Sequence, residues 1–191
     1  MAERARYRGS IDHTEKTIHL LYKTEYYAYE KAPMLVRLGI GVIMVIVSLT
    51  VSLPMWARGI LMLIGAWLMA SRDFPSMMRA DQALEARHGS LPSMHYEFYP
   101  DRVALSGEGS MSIPYKQFTR LAEDEAYLYL FLAKNSVCMV DRATLTPGPA
   151  EDFMKFIEQK TGLKWRREKS ILAMNLWDLR QTIRDIKNQK E

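Results

Sequence analysis

A long apolar stretch at residues 35–71 constrains this chain more than any other feature. It reads LVRLGIGVIMVIVSLTVSLPMWARGILMLIGAWLMAS, with no charged residue between Arg37 and Arg58. Pro54 divides it, and proline ends a helix because it removes a backbone donor and clashes with the preceding turn. So much apolar surface is unfavourable in water. The stretch therefore predicts a two-helix membrane hairpin over residues 34–72.

The two helices of this hairpin differ in length. The first is predicted from about Met34 to Leu53, which is the roughly 20 residues that a span requires. In the second, thirteen residues separate Arg58 from Arg72, fewer than the lower limit of roughly 17. It spans fully only if it starts at Met55 and Arg58 extends to the headgroups. A shallow re-entrant or interfacial second helix is the alternative.

Four side chains at the hairpin ends are candidates for the membrane interface: Arg37, Trp56, Arg58 and Arg72. Tryptophan and snorkelling arginine are typical of that position. For Arg58, its place beside the turn favours snorkelling over a functional charge within the bilayer. The flanks carry more Lys and Arg than the turn, so the positive-inside rule predicts a multi-pass protein with both termini in the cytoplasm.

The predicted cytosolic N-terminal segment covers residues 1–33. Residues 1–10 are expected to be loosely ordered, and a helix capped by Asp12 or Thr14 follows and ends near Pro33. Four tyrosines of this helix precede the hairpin: Tyr22, Tyr26, Tyr27 and Tyr29. Tyrosine suits a membrane interface, and packing on a cytosolic domain explains these rings equally well.

Beyond a connector helix at residues 73–92, the pattern changes to short strands. The apolar or alternating runs are MHYEFY, RVALS, MSIPY, QFTRLA (ending near Ala122), AYLYLFLA and NSVCMVD, separated by turn residues. They predict one curled antiparallel sheet within residues 93–163, covered by a helix that ends at Gly162. The fold class is therefore an α+β membrane protein with a transmembrane hairpin and a cytosolic β domain.

The tail at residues 164–191 is predicted to be an amphipathic helix with two candidate contact surfaces. Its apolar seam consists of Leu172, Leu176, Leu179, Ile183 and Ile186. So short a seam either docks on the chain's own helices or joins a second copy. Basic residues precede the seam: Lys160, Lys164, Arg166, Arg167 and Lys169. Anionic lipid attracts such a cluster, and an ordinary charged linker is the alternative.

The sequence predicts no catalytic residue, cofactor or metal site. The four histidines lack metal-ligand spacing: His13, His19, His88 and His95. Cys138 is the single cysteine and lies in an apolar strand, where cysteine packs as a small hydrophobe. The acidic run at 123–125 is more typical of a solvated turn than of a cation site. A net charge of +4 is mild and argues against a nucleic-acid partner.

The order of these parts resembles the YcxB-like membrane proteins of bacteria. The carrying segments are HYEFYPDRVAL, GSMSIPYKQFTRLAEDEAYLYLFLAKNSVCMVDRATL and AEDFMKFIEQKTG, and the resemblance covers about residues 15–163. It implies a pleckstrin-homology-like (PH-like) sheet capped by one helix, in a protein of the bacterial inner membrane. A departure occurs at 140–142, where an Ile-Pro-Lys-like segment is common and only the basic residue remains, as Arg142. The resemblance implies no activity.

Two functions are consistent with these features. The first is a non-enzymatic integral membrane protein whose cytosolic PH-like domain binds a protein or a lipid headgroup. Its partners are membrane lipid and, through the C-terminal helix, a protein or a second copy. The alternative is an accessory or immunity-type subunit of a larger membrane assembly. A membrane enzyme or transporter is disfavoured, because two short spans without paired polar groups cannot line a pathway.

Overall fold

The computed structural model describes residues 4–88, 90–107, 109–134 and 136–168. The α-helices of these residues are α1 Glu15–Tyr29, α2 Lys31–Thr50, α3 Met55–Ala70, α4 Phe74–Ala86 and α5 Ala150–Thr161. The strands are β1 Tyr7–Asp12, β2 Ser93–Phe98, β3 Arg102–Ser106, β4 Ser110–Pro114, β5 Arg120–Glu123, β6 Tyr127–Ala133, β7 Ser136–Asp141 and β8 Trp165–Arg167. The predicted α+β class is confirmed.

The first sheet begins with residues from the N-terminal segment. Its order is β1-β2-β3-β4, and β1 pairs antiparallel with β2 from Tyr7↔Phe98 to Asp12↔Ser93. The prediction of a loosely ordered segment is therefore wrong for residues 7–10. Gly9 lets β1 pack closely on the second sheet, because a Cβ at this position would clash with Cγ1 of Val140 at 2.7 Å. All four helices α1 to α4 lie in the connection between two neighbouring strands.

A second sheet replaces the single meandering sheet that the strand spacing predicted. Its order is β7-β6-β5-β8, and β8 runs parallel to β5. The prediction that Trp165–Arg167 begins the tail helix is also wrong. Trp165 pairs with Leu121, and its Nε1 donates a hydrogen bond to the carbonyl of Met154 at 3.0 Å. These contacts fix the segment as a strand against α5.

The core of the β domain is built from aromatic rings of both sheets and α5. The ring of Phe153 lies 4.6 Å from that of Phe98 and 5.5 Å from that of Tyr7, both edge to face. Phe156 meets Tyr115 in the same way at 5.8 Å. Helix α5 therefore covers the sheets as its apolar face predicted. It ends at Gly162, whose φ of 72° is left-handed and favours glycine.

The helical part starts at one of the two predicted caps and contains a helical hairpin within the predicted apolar stretch. Thr14 caps α1 through a capping box with Thr17. Helix α2 has 20 residues and α3 has 16, about 30 Å and about 24 Å at ~1.5 Å per residue. Among the described residues, α2 is the one helix long and apolar enough to cross a membrane. A second span and a multi-pass topology do not follow from these lengths.

Candidate membrane interface and ligand pocket

The exposed apolar surface of the protein is concentrated on the helical hairpin and the start of α4. In the described part of the chain, the large hydrophobic side chains that are exposed lie between Val36 and Met78, with Met111 as the exception. They include Ile43, which is 61% exposed, and Leu63, which is 72% exposed. An apolar surface of this extent is atypical of a protein surrounded by water and indicates a membrane or protein contact.

The two hairpin helices approach each other closely at a pair of glycines. A Cβ added to Gly65 would lie 2.8 Å from the carbonyl oxygen of Gly41 and 3.0 Å from Cγ2 of Val45. Small residues at such a crossing let helix backbones pack closely. Gly59, on the same helix, has nothing within 4 Å of its Cβ position. The crossing therefore depends on Gly41 and Gly65 specifically.

We expect Gly65→Leu to destabilise the hairpin by about 1–3 kcal/mol, the usual cost of overpacking. The added side chain has no space, so the helices must move apart. The measurement is the thermal unfolding midpoint of the full chain in detergent. Gly59→Leu is the matched control and should not lower the midpoint, because its side chain has open space and leucine favours a helix more than glycine does. Equal midpoints for the two variants would show that the crossing is loose.

A carboxylate at the junction of α1 and α2 joins the hairpin to the rest of the protein. Oε1 of Glu30 accepts from Nη1 of Arg79 on α4 and from Nζ of Lys134 after β6, the latter at 2.8 Å. Burial of Glu30 opposes its ionisation, but the hydrogen bonds from Arg79 and Lys134 outweigh burial and lower its pKa. These three residues, here called the Glu30 cluster, tie the helices to the second sheet.

Further contacts reinforce this junction on the side of β5 and β8. Nζ of Lys31 lies 2.8 Å from a carboxylate oxygen of Glu168. The guanidinium of Arg120 donates to the carbonyl of Ala28 and lies 5.1 Å from the centre of the Tyr29 ring. The hairpin base is therefore attached to the β domain by several polar contacts rather than by a single linker.

Glu30→Gln is expected to lower the free energy of unfolding by about 1–3 kcal/mol, the range for hydrogen bonds to charged groups. Because the folded pKa of Glu30 is lowered, its stabilisation is present above the ordinary value of 4.5 and is lost as the pH falls through the folded pKa. The measurement is denaturant unfolding at pH 7 and below pH 4. Glu85→Gln, at an exposed site on α4, is the control and should change little. A Glu30→Gln deficit that stays the same at both pH values would contradict this assignment.

A second polar cluster lies at the same end of the hairpin, where α3 leads into α4. Oδ1 of Asp73 accepts from the hydroxyl of Tyr27 at 2.8 Å. Nζ of Lys23 lies 3.9 Å from Oδ2 of Asp73, and Nε of Arg72 lies 3.6 Å from Oδ1. Nη1 of Arg37 reaches the carbonyl oxygen of the adjoining Ser71 at 3.5 Å. The Asp73 cluster, as used below, consists of Lys23, Tyr27, Arg37, Arg72 and Asp73.

The predicted interface residues occupy opposite ends of the hairpin. Arg37 and Arg72 come together at the base, as described above. Trp56 is 72% exposed in the first turn of α3, and Arg58 is exposed in the same turn. Their role at a membrane interface stays a prediction. The tyrosine run has two environments. Tyr26 and Tyr27 are buried against Met34 at the start of α2, whereas the ring of Tyr29 lies 5.5 Å from that of Phe131 in the β domain.

The predicted contact residues of the tail are only partly within the described structure. Nζ of Lys164 pairs with Glu158 at 3.0 Å and a guanidinium nitrogen of Arg167 with Glu125 at 2.6 Å. Arg166 lies beside Ala122 in the β5–β8 pair. The remaining candidates lie outside the described residues: Lys169, Leu172, Leu176, Leu179, Ile183 and Ile186. Lys164 and Arg167 thus have partners within the β domain, and lipid or partner contact by this group stays a prediction.

The acidic run at 123–125 stabilises the fold locally. Asp124 accepts hydrogen bonds from the backbone N–H of Ala126 and of Tyr127 and from the hydroxyl of Tyr129. Its neighbours Glu123 and Glu125 pair with Arg142 and Arg167. In the part of the chain that the structure describes, no group of His, Cys, Asp and Glu is arranged to bind a metal ion.

A pocket of about 370 Å³ lies between α1 and the first sheet. Ile18, Leu21 and Tyr22 of α1 form one wall, and the floor comes from the sheets: Met94, Tyr96, Leu105, Met111 and Val137. The polar lining consists of His13, Glu25, Arg87 and Ser110. Glu25 is 3% exposed. The volume and the mixture of an apolar floor with a few polar groups are typical of a site for a small ligand.

Sequence reasoning missed the pocket and both polar clusters. Each brings together residues that are distant in sequence: Glu30 and Lys134, for example, are 104 positions apart. The only local signal is the position of Glu30 and Asp73 directly beside the apolar stretch. Charged residues beside an apolar stretch indicate where a membrane segment ends, and this pattern does not identify the residues with which they pair.

The fold and these sites define a class of protein: an α+β protein in which an apolar helical hairpin is inserted between the first two strands of a two-sheet β domain. Residues 98–157 match the family model described as YcxB-like protein. This segment runs from the end of β2 into α5, so the predicted YcxB-like resemblance is confirmed there. No curated protein and no solved structure matches the chain.

Proposed function

We propose that the chain is a non-enzymatic integral membrane protein that holds a PH-like binding domain at the cytoplasmic face of the bacterial inner membrane. The hairpin of α2 and α3 is embedded in the bilayer. The β domain lies on the side of the hairpin base, because both ends of the hairpin connect to its first sheet. The domain binds a small ligand or lipid, or a protein partner.

The observation that carries this proposal is the distribution of exposed apolar side chains. They cover α2 and α3, while polar and charged contacts begin at the hairpin base. This change from apolar to charged surface is what a bilayer boundary requires, because charged side chains are costly within hydrocarbon. Trp56 at the far end and Trp67 near the base are both exposed, which suits the two interfacial regions.

The pocket supports the binding role of the β domain. Its open side exposes Met111, which is 64% exposed, beside the partly buried Met94 and Leu105. The pocket lies between α1 and the sheets, so a bound ligand would contact α1, the helix that leads into the hairpin. A ligand with an apolar body and a polar group fits this lining.

Two measurements on the full chain test the proposal. Membranes containing the protein are washed with alkaline carbonate, and the protein should remain in the membrane fraction; release into the supernatant would refute membrane insertion. The gently solubilised protein is then analysed by mass spectrometry for co-purified molecules. Wild type should carry a small molecule or lipid that is absent from Leu105→Trp, which fills the pocket. The same content in both proteins would argue against the pocket as the binding site.

A further inference from the structure

The Asp73 cluster has more positive than negative charge. Its three cations are Lys23, Arg37 and Arg72, and its one carboxylate is Asp73, so its members have an excess of two positive charges. Asp73 is also occupied by the hydroxyl of Tyr27. Within these contacts, Asp73 does not balance the positive charge of the cluster.

The two arginines also have hydrogen-bonding capacity left over. Nε of Arg72 is buried and lacks a hydrogen-bond partner, since its 3.6 Å separation from Asp73 exceeds a hydrogen-bond distance. The 3.5 Å contact of Arg37 with the Ser71 carbonyl is at the limit of such a bond. Each guanidinium has five N–H donors that match the oxygens of a phosphate.

The cluster lies at the border between the apolar and the polar surface. Arg37 is in the second turn of α2, and Arg72 lies two residues beyond the end of α3. Trp67, one turn before the end of α3, is 63% exposed, and Phe74, at the start of α4, is 53% exposed. Apolar side chains thus flank the cations on both sides. A ligand with a phosphate and long acyl chains fits this border, whereas a soluble phosphate would use only the cations.

We propose that the Asp73 cluster binds the phosphate of an anionic phospholipid, with Arg37 and Arg72 as its main contacts and the acyl chains along the exposed faces of α2 and α3. This proposal rests on the proposed membrane insertion. It places lipid recognition at the hairpin base rather than in the basic tail, where Lys164 and Arg167 already pair with Glu158 and Glu125.

Native mass spectrometry of the full chain in dodecyl maltoside tests this site, with phosphatidylglycerol and phosphatidylcholine added in parallel. Wild type should retain phosphatidylglycerol preferentially. The double substitution Arg37→Gln/Arg72→Gln should weaken that binding about 30-fold, since each near-surface cation contributes about fivefold. Lys155→Gln, at an exposed site on α5, is the matched control and should bind as wild type does. Lys23→Gln, a half-exposed member of the cluster, gives a second test with an expected loss of about fivefold.

Three results would overturn the proposal: no preference for phosphatidylglycerol in wild type, equal binding by the cluster variants and wild type, or an equal loss in Lys155→Gln. If an equal concentration of glycerol phosphate displaced the lipid, the cluster would be a site for a soluble phosphate and not for a lipid. The carbonate wash distinguishes failure of the lipid site from failure of the proposed membrane insertion. A wild type that stays in the membrane while the substitutions leave phosphatidylglycerol binding unchanged refutes only the lipid site, whereas a wild type that is washed off refutes membrane insertion.

Discussion

A fusion of residues 1–12 to residues 93–168 through an Asn-Gly turn is expected to fold as a soluble β domain, whereas residues 93–168 alone are expected not to fold. The difference is β1, which contributes Ile11 and Tyr7 to the core at 2% and 9% exposure. Burial of each such side chain contributes about 1.5–3 kcal/mol, a large share of the stability of a small domain. Asp12 and Ser93 lie directly opposite each other, so a two-residue turn can join the strands.

The comparison isolates β1, because both fragments lack α1 and its packing on the core. Denaturant unfolding followed by circular dichroism is the measurement, and the fusion should unfold cooperatively while residues 93–168 should not. Ile11→Asp in the fusion buries an unpaired charge and should abolish the transition. If residues 93–168 unfolded cooperatively with the same midpoint as the fusion, β1 would not belong to the folding unit.

Phe153→Ala is expected to destabilise the β domain by about 3–5 kcal/mol, the range for removing a buried phenylalanine. Phe153 is fully buried in α5 and contacts the rings of Tyr7 and Phe98, which lie opposite each other on β1 and β2. Its removal leaves a cavity between α5 and the first sheet, because the surrounding rings belong to different elements and relax only in part.

Phe74→Ala is the matched control, since Phe74 is 53% exposed on α4. In the full chain in detergent it should change the free energy of unfolding by less than about 0.5 kcal/mol. A Phe153→Ala variant within that same margin would mean that α5 does not close the core.

The elements that local pattern determines were predictable from the sequence. The apolar stretch predicted the hairpin and its turn at Pro54. The alternation around Tyr96 and Phe98 predicted β2, and Thr14 and Gly162 marked the ends of helices. Each of these signals lies within a few residues of the element it defines, so it requires no knowledge of the rest of the fold.

The long-range pairings were not predictable in this way. β1 joins β2 across the whole helical insertion, and its three alternate buried positions include a glycine that has no hydrophobic signal. β8 consists of three residues beside a basic cluster, and its parallel pairing with β5 follows from the return of the chain along α5. The Asp73 cluster joins α1, α2 and the end of α3, and the pocket joins α1 to both sheets. Neither the cluster nor the pocket can be predicted from any single segment of the sequence.

In the proposed arrangement the hairpin crosses the membrane while the β domain stays in the cytoplasm, and cysteine labelling tests this arrangement most directly. Burial raises the pKa of the native Cys138 thiol to about 12, so this thiol is protonated and unreactive at neutral pH and gives a silent background. Ser52→Cys places a thiol in the exposed turn between α2 and α3, and Asp101→Cys places one in the exposed turn between β2 and β3.

A membrane-impermeant maleimide is applied to intact spheroplasts and to disrupted membranes. Ser52→Cys should be labelled in intact spheroplasts, and Asp101→Cys should be labelled only after disruption. Labelling of Asp101→Cys in intact spheroplasts would place the β domain outside the cell. Protection of Ser52→Cys there would mean that the hairpin does not cross the bilayer, and either result would refute the proposed arrangement.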